Sequence, residues 1–536
     1  MKRRRYIQIL LALMVTLIIG GTMFVNSPRT QQRASVWAAT ELENYIGTRV
    51  AIGGIHWLLP GDIIIDNLRI DDQEGEPLIS IDRLAAKIEW MPLLRHKQVS
   101  VRNVRLFSPD INIYRTGDEY NYQFLIDALA SKKEREREPS PLSLRINSLL
   151  VRHGKACHQI DLYVDEDSEP AAPSFAERLC ITDFSTQLSL KHLSADSASL
   201  IIRHLDLKEE SGLKVEHLYL RLVGNRHGAT LANFQLDLPQ SSLRLDTIWT
   251  AYSLDTPRDA GSPILPHLTF KGGILPASHI TPTDLAWIIP EVGGIDEKVY
   301  FGARFSGSPA NINVTALDVH SSQHDLALRA DAQISHNDNH TAGTRGLMSN
   351  NLSLTLREAS LTKHAWTILE QGAPELFEYV PQELINIGDL TMRGELSHDE
   401  RQSQASFRAK TEAGALEGTM TLDKTGDYTA TLRGDTLHIA QIVPQSPLTH
   451  TNLKFESRGT LNIGNLSESA EKKPTSIIKS ASLSGALTDV MLLDYEYRRL
   501  NLNGHITPDS SKATLSLDDP CGGLALQGKV LHQKSP

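Results

Sequence analysis

Three cysteines, Cys157, Cys180 and Cys521, serve a chain of 536 residues. They are too few to staple a fold of this size with disulfides, and at least one is left unpaired. A Cys157–Cys180 bridge stays open, with free buried thiols the preferred reading. Excess positive charge is also lacking. The formal net charge is −10, and the only dense basic cluster is Lys2–Arg5, which argues against a nucleic-acid partner. The sequence has no G-x-S-x-G elbow, no G-x-x-x-x-G-K-[ST] phosphate cradle and no H-E-x-x-H zinc site, so the common nucleophilic, phosphoryl-transfer and metalloprotease signatures are missing. His153, Cys157 and His158 in "VRHGKACHQ", with Cys180 beyond them, lack the tight paired spacing of a zinc site and read as strand and loop residues. The acidic stretch "DLYVDEDSEPAAP" has neither the glycine nor the final glutamate of an EF-hand loop and reads as solvated. The 20 histidines are scattered over polar strand faces. A large chain without a catalytic constellation reads as a scaffold or conduit, not an enzyme, and no cofactor or metal is expected.

Long apolar runs are scarce too. There is one, Ile7–Val25, whose 19 residues carry no charge and suffice for a spanning helix. Its apolar side is built from Ile7, Leu10, Leu11, Leu13, Val15, Leu17, Ile18 and Ile19. Lys2, Arg3, Arg4 and Arg5 precede it, which holds that end in the cytoplasm. The exit "VNSPRTQQRA" offers no good small-x-small cleavage site, so the run is expected to be a permanent anchor. The expected organisation is a cytoplasmic 1–5, a transmembrane 6–25, an N-terminal module over 26–138 and a strand-rich region over 139–536.

What fills the rest is alternation. "PLSLRINSLLVRHG" puts Leu142, Leu144 and Ile146 on one face and Ser143, Arg145 and Asn147 on the other. "SLIIRHLDLKEESGLKVEHLYLRLVG" repeats the pattern with Leu200 and Ile202, Leu205 and Leu207, Leu213 and Val215, then Leu218, Leu220 and Leu222. The phase slips between these pairs mark turns or bulges. Period-2 patterning bounded by Gly, Asp, Asn and Ser predicts strands with one dry and one wet face. The lack of clear breaks points to an elongated sheet; about 25 to 30 strands at ~4.8 Å would extend it by on the order of 120 to 145 Å. Helices are few. One is expected from Ser35 as N-cap to Gly47 as stop, and one near Tyr122–Lys132 before the charged linker that ends in Pro139 and Pro141. Another is expected in "TPTDLAWIIPE", with Thr281 as cap and Pro290 as terminator, and a looser copy in "KHAWTILEQGAPELFEYVPQE".

These strings, in their order, resemble the TamB group of AsmA-like envelope proteins in the form found in Bacteroides-type bacteria. The most specific part is "ATELENYIGTRVAIGGIHWLLPGDIIIDNLRIDDQEGEPLISIDRLAAKIEWMPLLRHKQVSVRNVRLFSPDINIYRTGDEYNYQFLIDAL". "LKEESGLKVEHL", "ITPTDLAWIIPEV" and "TEAGALEGTMTLDKTGDYTATLRGDTLHIAQI" follow it. The resemblance implies a mainly β fold: a long curled sheet, a β-taco or open solenoid-like groove, with a few short helices and one N-terminal transmembrane helix. It implies a single-pass protein of the bacterial inner membrane with its body in the periplasm. Its expected work is outer-membrane biogenesis, binding phospholipid and conducting it between the two membranes, with an Omp85-type, TamA-like partner in the outer membrane. The alternative is a scaffold of the translocation and assembly module, aiding secretion and assembly of outer-membrane β-proteins. Family members are usually far longer, with a C-terminal domain that meets the outer-membrane partner. This chain stops at "VLHQKSP", so a truncated reading frame or a short AsmA-like member is expected. Leu200, Ile202, Leu205, Leu207, Leu213, Val215, Leu218, Leu220 and Leu222 are the candidates for the groove lining. Either acyl chains or the other half of a closed sandwich would meet them.

Overall fold

The computed structural model describes residues 27–58, 61–89, 101–116, 119–125, 147–160, 178–193, 197–253, 267–336, 350–399, 401–461, 478–492, 495–520 and 522–532, with Thr16, Gly20 and Met23. Strand dominates these residues and helices are few, as the alternation predicts. The anchor run Ile7–Val25 falls almost wholly outside them. Among the described residues no helix is long and apolar enough to cross a membrane. The chain divides into two compact units, Met1–Pro239 and Gln240–Pro536.

In the first unit a helix, α1 (Pro28–Ile46), precedes the strands. It stops at Gly47, whose φ of 84° is left-handed and whose N–H reaches Glu43 O, because glycine takes that conformation without a Cβ clash. Its start is earlier than expected. Pro28 occupies the first turn, where a missing N–H costs nothing, and Ser35 lies buried inside the helix with its hydroxyl donating to Gln32 O. Strands β1 (Val50–Leu58), β2 (Asp62–Asp71), β3 (Pro77–Ile88) and β4 (Val101–Thr116) form an antiparallel meander. The short β5 (Glu119–Tyr120) folds back on the end of β4. Next, β6 (Ser148–Ile160) pairs with β4 in parallel, joining the residues on either side of the expected 132–141 linker, which lies outside the described residues. β7 (Arg178–Leu193) and β8 (Ser197–Glu209) continue antiparallel. β9 (Lys214–Val215) covers one end of β8, β10 (His217–Asn225) the other, and β11 (Gly228–Asp237) pairs with β10.

A polar knot secures the β2–β3 turn. The Asp72 carboxylate accepts the N–H groups of Glu74 and Glu76 and lies 2.6 Å from the Tyr114 hydroxyl, which is also 2.8 Å from Glu74 Oε2. Burial pushes the Asp72 carboxyl up, but the bonds from Tyr114, from the two N–H groups and from Asn121 outweigh it and hold it below the usual carboxylate range. Burial and the two carboxylates push the Tyr114 phenol well above its ordinary value.

Cys157 and Cys180 are directly opposite on β6 and β7 and form a disulfide. This corrects the free-thiol reading: the two positions are 23 residues apart in sequence, and only the hairpin register makes them neighbours. Cys521 lies outside the described residues.

In the second unit β12 (Ser242–Arg244) and β13 (Ile248–Ala251) lie along β14 (Thr269–Ile280). From there each strand pairs antiparallel with its successor. The series begins β15 (Val299–Ser308), β16 (Asn311–Ser321), β17 (Leu326–His336), β18 (Asn350–Leu361) and β19 (Leu390–His398). It continues with β20 (Gln402–Thr411), β21 (Gly414–Asp423), β22 (Asp427–Leu437) and β23 (Leu448–Leu461). It ends with β24 (Ile478–Leu492), β25 (Tyr495–Ile506), β26 (Ser510–Asp519) and β27 (Gly522–Leu531). "TPTDLAWIIPE" forms two 3-10 turns, Pro282–Leu285 and Pro290–Val292, in place of one helix. The Thr281 hydroxyl bonds Gln240 O instead of capping, and Pro290 opens the second turn. The looser copy becomes α2 (Lys363–Gly372), α3 (Pro374–Phe377) and α4 (Gln382–Asn386); α5 (Ile439–Ile442) was not foreseen. All fall in connections at the same strand end, and side-chain bonds between Asn386 and Ile442 O and between Gln441 and Asn386 O tie α4 to α5. Of the helix expected over Tyr122–Lys132, residues 123–125 are helical; the remainder from 126 lies outside the described residues.

Candidate functional site

Directly paired residues on neighbouring strands point to the same face of a sheet, so the register tells which side chains share a surface. In the first unit one row runs Trp57, Ile63, Ala86, Val104, Leu149, Leu188, Ile202, Leu220, from β1 to β10, every member apolar. A parallel row runs Ile55, Ile65, Leu84, Leu106, Val151, Thr186, Leu205. From β1 to β7 the two rows keep a strict period of two, but the pattern moves by three between them on β8 and beyond the second row on β1 to β3, where the apolar positions resume at Ile52, Leu68 and Ile81. Irregular residues absorb the slip. Asn67, Ser108 and His153 have φ of 50°, 47° and 54°, and they stand where the pairings of β2–β3, β3–β4 and β4–β6 skip a position. In β8 the slip is an extra residue: Leu188 faces Ile202 while Gln187 faces His204, leaving Arg203 unpaired. Such bulges rotate the strand locally, and here they return the apolar set to the same side.

The nine candidates are thereby placed. Leu200, Ile202, Leu220 and Leu222 meet as two cross-strand pairs, Leu205 and Leu207 face Thr186 and Phe184 of β7, and Val215 faces Leu207. Leu218 shares the face by alternation and pairs with Leu236 of β11. Leu213 stands in the turn, its carbonyl accepting the Glu209 N–H. Val215 is buried, Leu222 is 37% exposed and the other seven are half-buried.

The second unit carries its own apolar row across twelve strands, β16 to β27: Leu317, Ala330, Leu356, Gly394, Phe407, Gly418, Leu432, Phe455, Gly485, Leu502, Leu515, Leu526. Phenylalanines here lie over cross-strand glycines. A Cβ on Gly418 would come within 2.4 Å of the Phe407 ring, and one on Gly485 within 2.0 Å of Phe455. The first unit repeats the device with Phe184 over Gly154. Each ring covers backbone that glycine would otherwise leave open. Yet Phe407 and Met420 stay 38% exposed and Leu526 53% exposed, well short of a sealed sandwich core. Sequence reading missed these pairs; the spaced Gly and Phe are visible in "MRGEL", "ASFRA" and "LEGTM", but their opposition depends on register.

The reverse face is polar and ion-paired. Asp66 takes His56 at 3.1 Å and Arg83 at 2.7 Å, and Arg329 bridges Asp318 and Glu358. Thr419 and Thr431, and Thr421 and Thr429, bond across β21 and β22. Of the metal candidates, Cys157 and Cys180 are consumed by their disulfide and His153 faces Asp183 at 3.5 Å. Among the described residues no group of three His, Cys, Asp or Glu side chains is placed to hold a metal ion. The acidic stretch after Ile160 lies outside them. No family model, no curated protein and no solved structure matches the chain.

Proposed function

We propose that this chain is a TamB/AsmA-like protein, anchored in a bacterial inner membrane, that binds phospholipid along its apolar sheet face and conducts it toward the outer membrane. An Omp85-type, TamA-like partner would receive it there. The observation that carries this reading is the apolar row that crosses strand after strand in each unit while most of its members stay half-buried. Hydrophobic surface of that extent is an interaction surface. An acyl chain laid on it gains ~0.8 kcal/mol per buried CH₂ without polar contacts, so it is held along its length and free to slide. The Cys157–Cys180 disulfide supports an exported body, because such bonds persist in oxidising compartments such as the periplasm.

The test is lipid identification by mass spectrometry on Asn26–Pro536 purified without detergent. Several phospholipids per chain are expected, and Ile202→Asp with Leu218→Asp is expected to remove most of them while far-UV circular dichroism stays unchanged. Folded protein free of lipid would sink the proposal and leave the assembly scaffold, which works through strand edges and tolerates both substitutions.

A further inference from the structure

The register that seats Phe407 between Gly394 and Gly418 also lines up the neighbouring positions on the opposite, polar face. There Arg393 of β19 faces Arg408 of β20, Arg408 faces Glu417 of β21, and Glu417 faces Arg433 of β22. These four line a concavity of about 1050 Å³, with Lys410 and Arg357 at its sides and Glu395 as the second lining carboxylate. Its charge is not balanced internally. Glu417 serves two guanidiniums, Arg408 at 3.2 Å and Arg433 at 3.6 Å, and Arg357 is paired with Asp331. Arg393 and Lys410 have no acidic partner among the described residues. Like charges directly opposite on adjacent strands work against pairing, so two abutting arginines, one without a counter-ion, form a position that an anion would stabilise.

We propose that this concavity is a binding site for a phosphate-bearing organic ligand. Guanidinium forks match phosphoryl oxygens in pairs, and Arg393 and Arg408 present two such forks side by side. Hydroxyls of Thr391, Ser406 and Thr419 flank them in the same lining. The volume is far larger than a phosphate ion needs and matches a small-molecule site, which assigns the remainder to the organic part of the ligand. Its charged side chains stand on the face opposite the apolar row, whose Leu356, Gly394, Phe407 and Gly418 also contribute to the lining, and the proposal does not depend on the lipid reading.

The experiment is calorimetric titration of the full chain in neutral-detergent micelles at low salt, with glycerol 3-phosphate as the probe. Arg393→Gln and Arg408→Gln are each expected to weaken binding about tenfold, the size of one lost charge-assisted bond. Arg458→Gln, on the same face but outside the concavity, is expected to bind like the parent. All three positions are exposed, and circular dichroism verifies the folds. Micelles doped with phosphatidylglycerol separate the sources. Competition with the soluble probe assigns the site to a lipid headgroup, and its absence assigns it to a soluble phosphate ester. No heat from the parent, or a double variant that binds as tightly as the parent, would overturn the proposal.

Discussion

At the scale of single residues, Tyr114 and Asp72 show how one hydroxyl organises a turn. The Asp72 carboxyl is held below its ordinary value of 3.8 in the folded chain. Its contribution is therefore complete above that unfolded value and is lost as pH falls through the folded one. Tyr114→Phe removes the hydroxyl and lets the Asp72 carboxyl rise. The turn is expected to lose roughly 1 kcal/mol at neutral pH and to open at higher pH during acid titration. Parent and variant should converge once Asp72 is protonated in both. Hydrogen exchange of peptides covering residues 71–77 between pH 3 and pH 7 measures this, and a variant that opens at the parent's pH would show the bond to be idle. Nothing in "DDQEGEP" announces the knot, because Tyr114 comes from a strand some forty residues on. Gly47 is the opposite case: its effect is local, and the end of α1 was legible where it stands.

At the scale of elements, the alternation in "SLIIRHLDLKEESGLKVEHLYLRLVG" was enough to find the strands and their dry side, phase slips included. It did not say that the slip after Ile202 is one extra residue, Arg203, set against β7, or that Asn67, Ser108 and His153 stand at matching points of β2, β4 and β6. A bulge is defined against its neighbour, so it cannot be read from one strand alone. The Cys157–Cys180 bridge has the same origin. Reducing it, or replacing both cysteines with serine, should cost about 3 kcal/mol for a loop of this length. The loss is expected as faster hydrogen exchange across β6 and β7 with β24–β27 unaffected. Unchanged exchange would mean that backbone pairing holds the two strands without the bridge.

At the scale of the molecule, the second unit from β14 onward is a succession of nearest neighbours, each strand paired with the next in sequence. Stability in such an array is close to a sum of local interfaces, so a hairpin is removable if the rows still match. Deleting Tyr495–Asp519 brings β24 against β27 in antiparallel sense and sets Leu487 and Gly485 against Leu524 and Leu526, the residues that β25 and β26 now connect. The shortened chain is expected to fold, with circular dichroism reduced in proportion and bound lipid lowered rather than abolished. Loss of the whole β signal would show that the unit folds as one indivisible block.

The sequence by itself determined which stretches are strand and which side of each is apolar, because alternation is a property of successive residues, and it determined the stop of α1 through one left-handed glycine. Tertiary structure decided what faces what. It made β4 and β6 parallel neighbours, joined Cys157 to Cys180, laid phenylalanines over glycines and set Arg393 against Arg408. The reason is physical: side-chain direction follows from the local backbone, whereas register is set by pairing between strands distant in the chain, and a shift of one residue there exchanges the two faces.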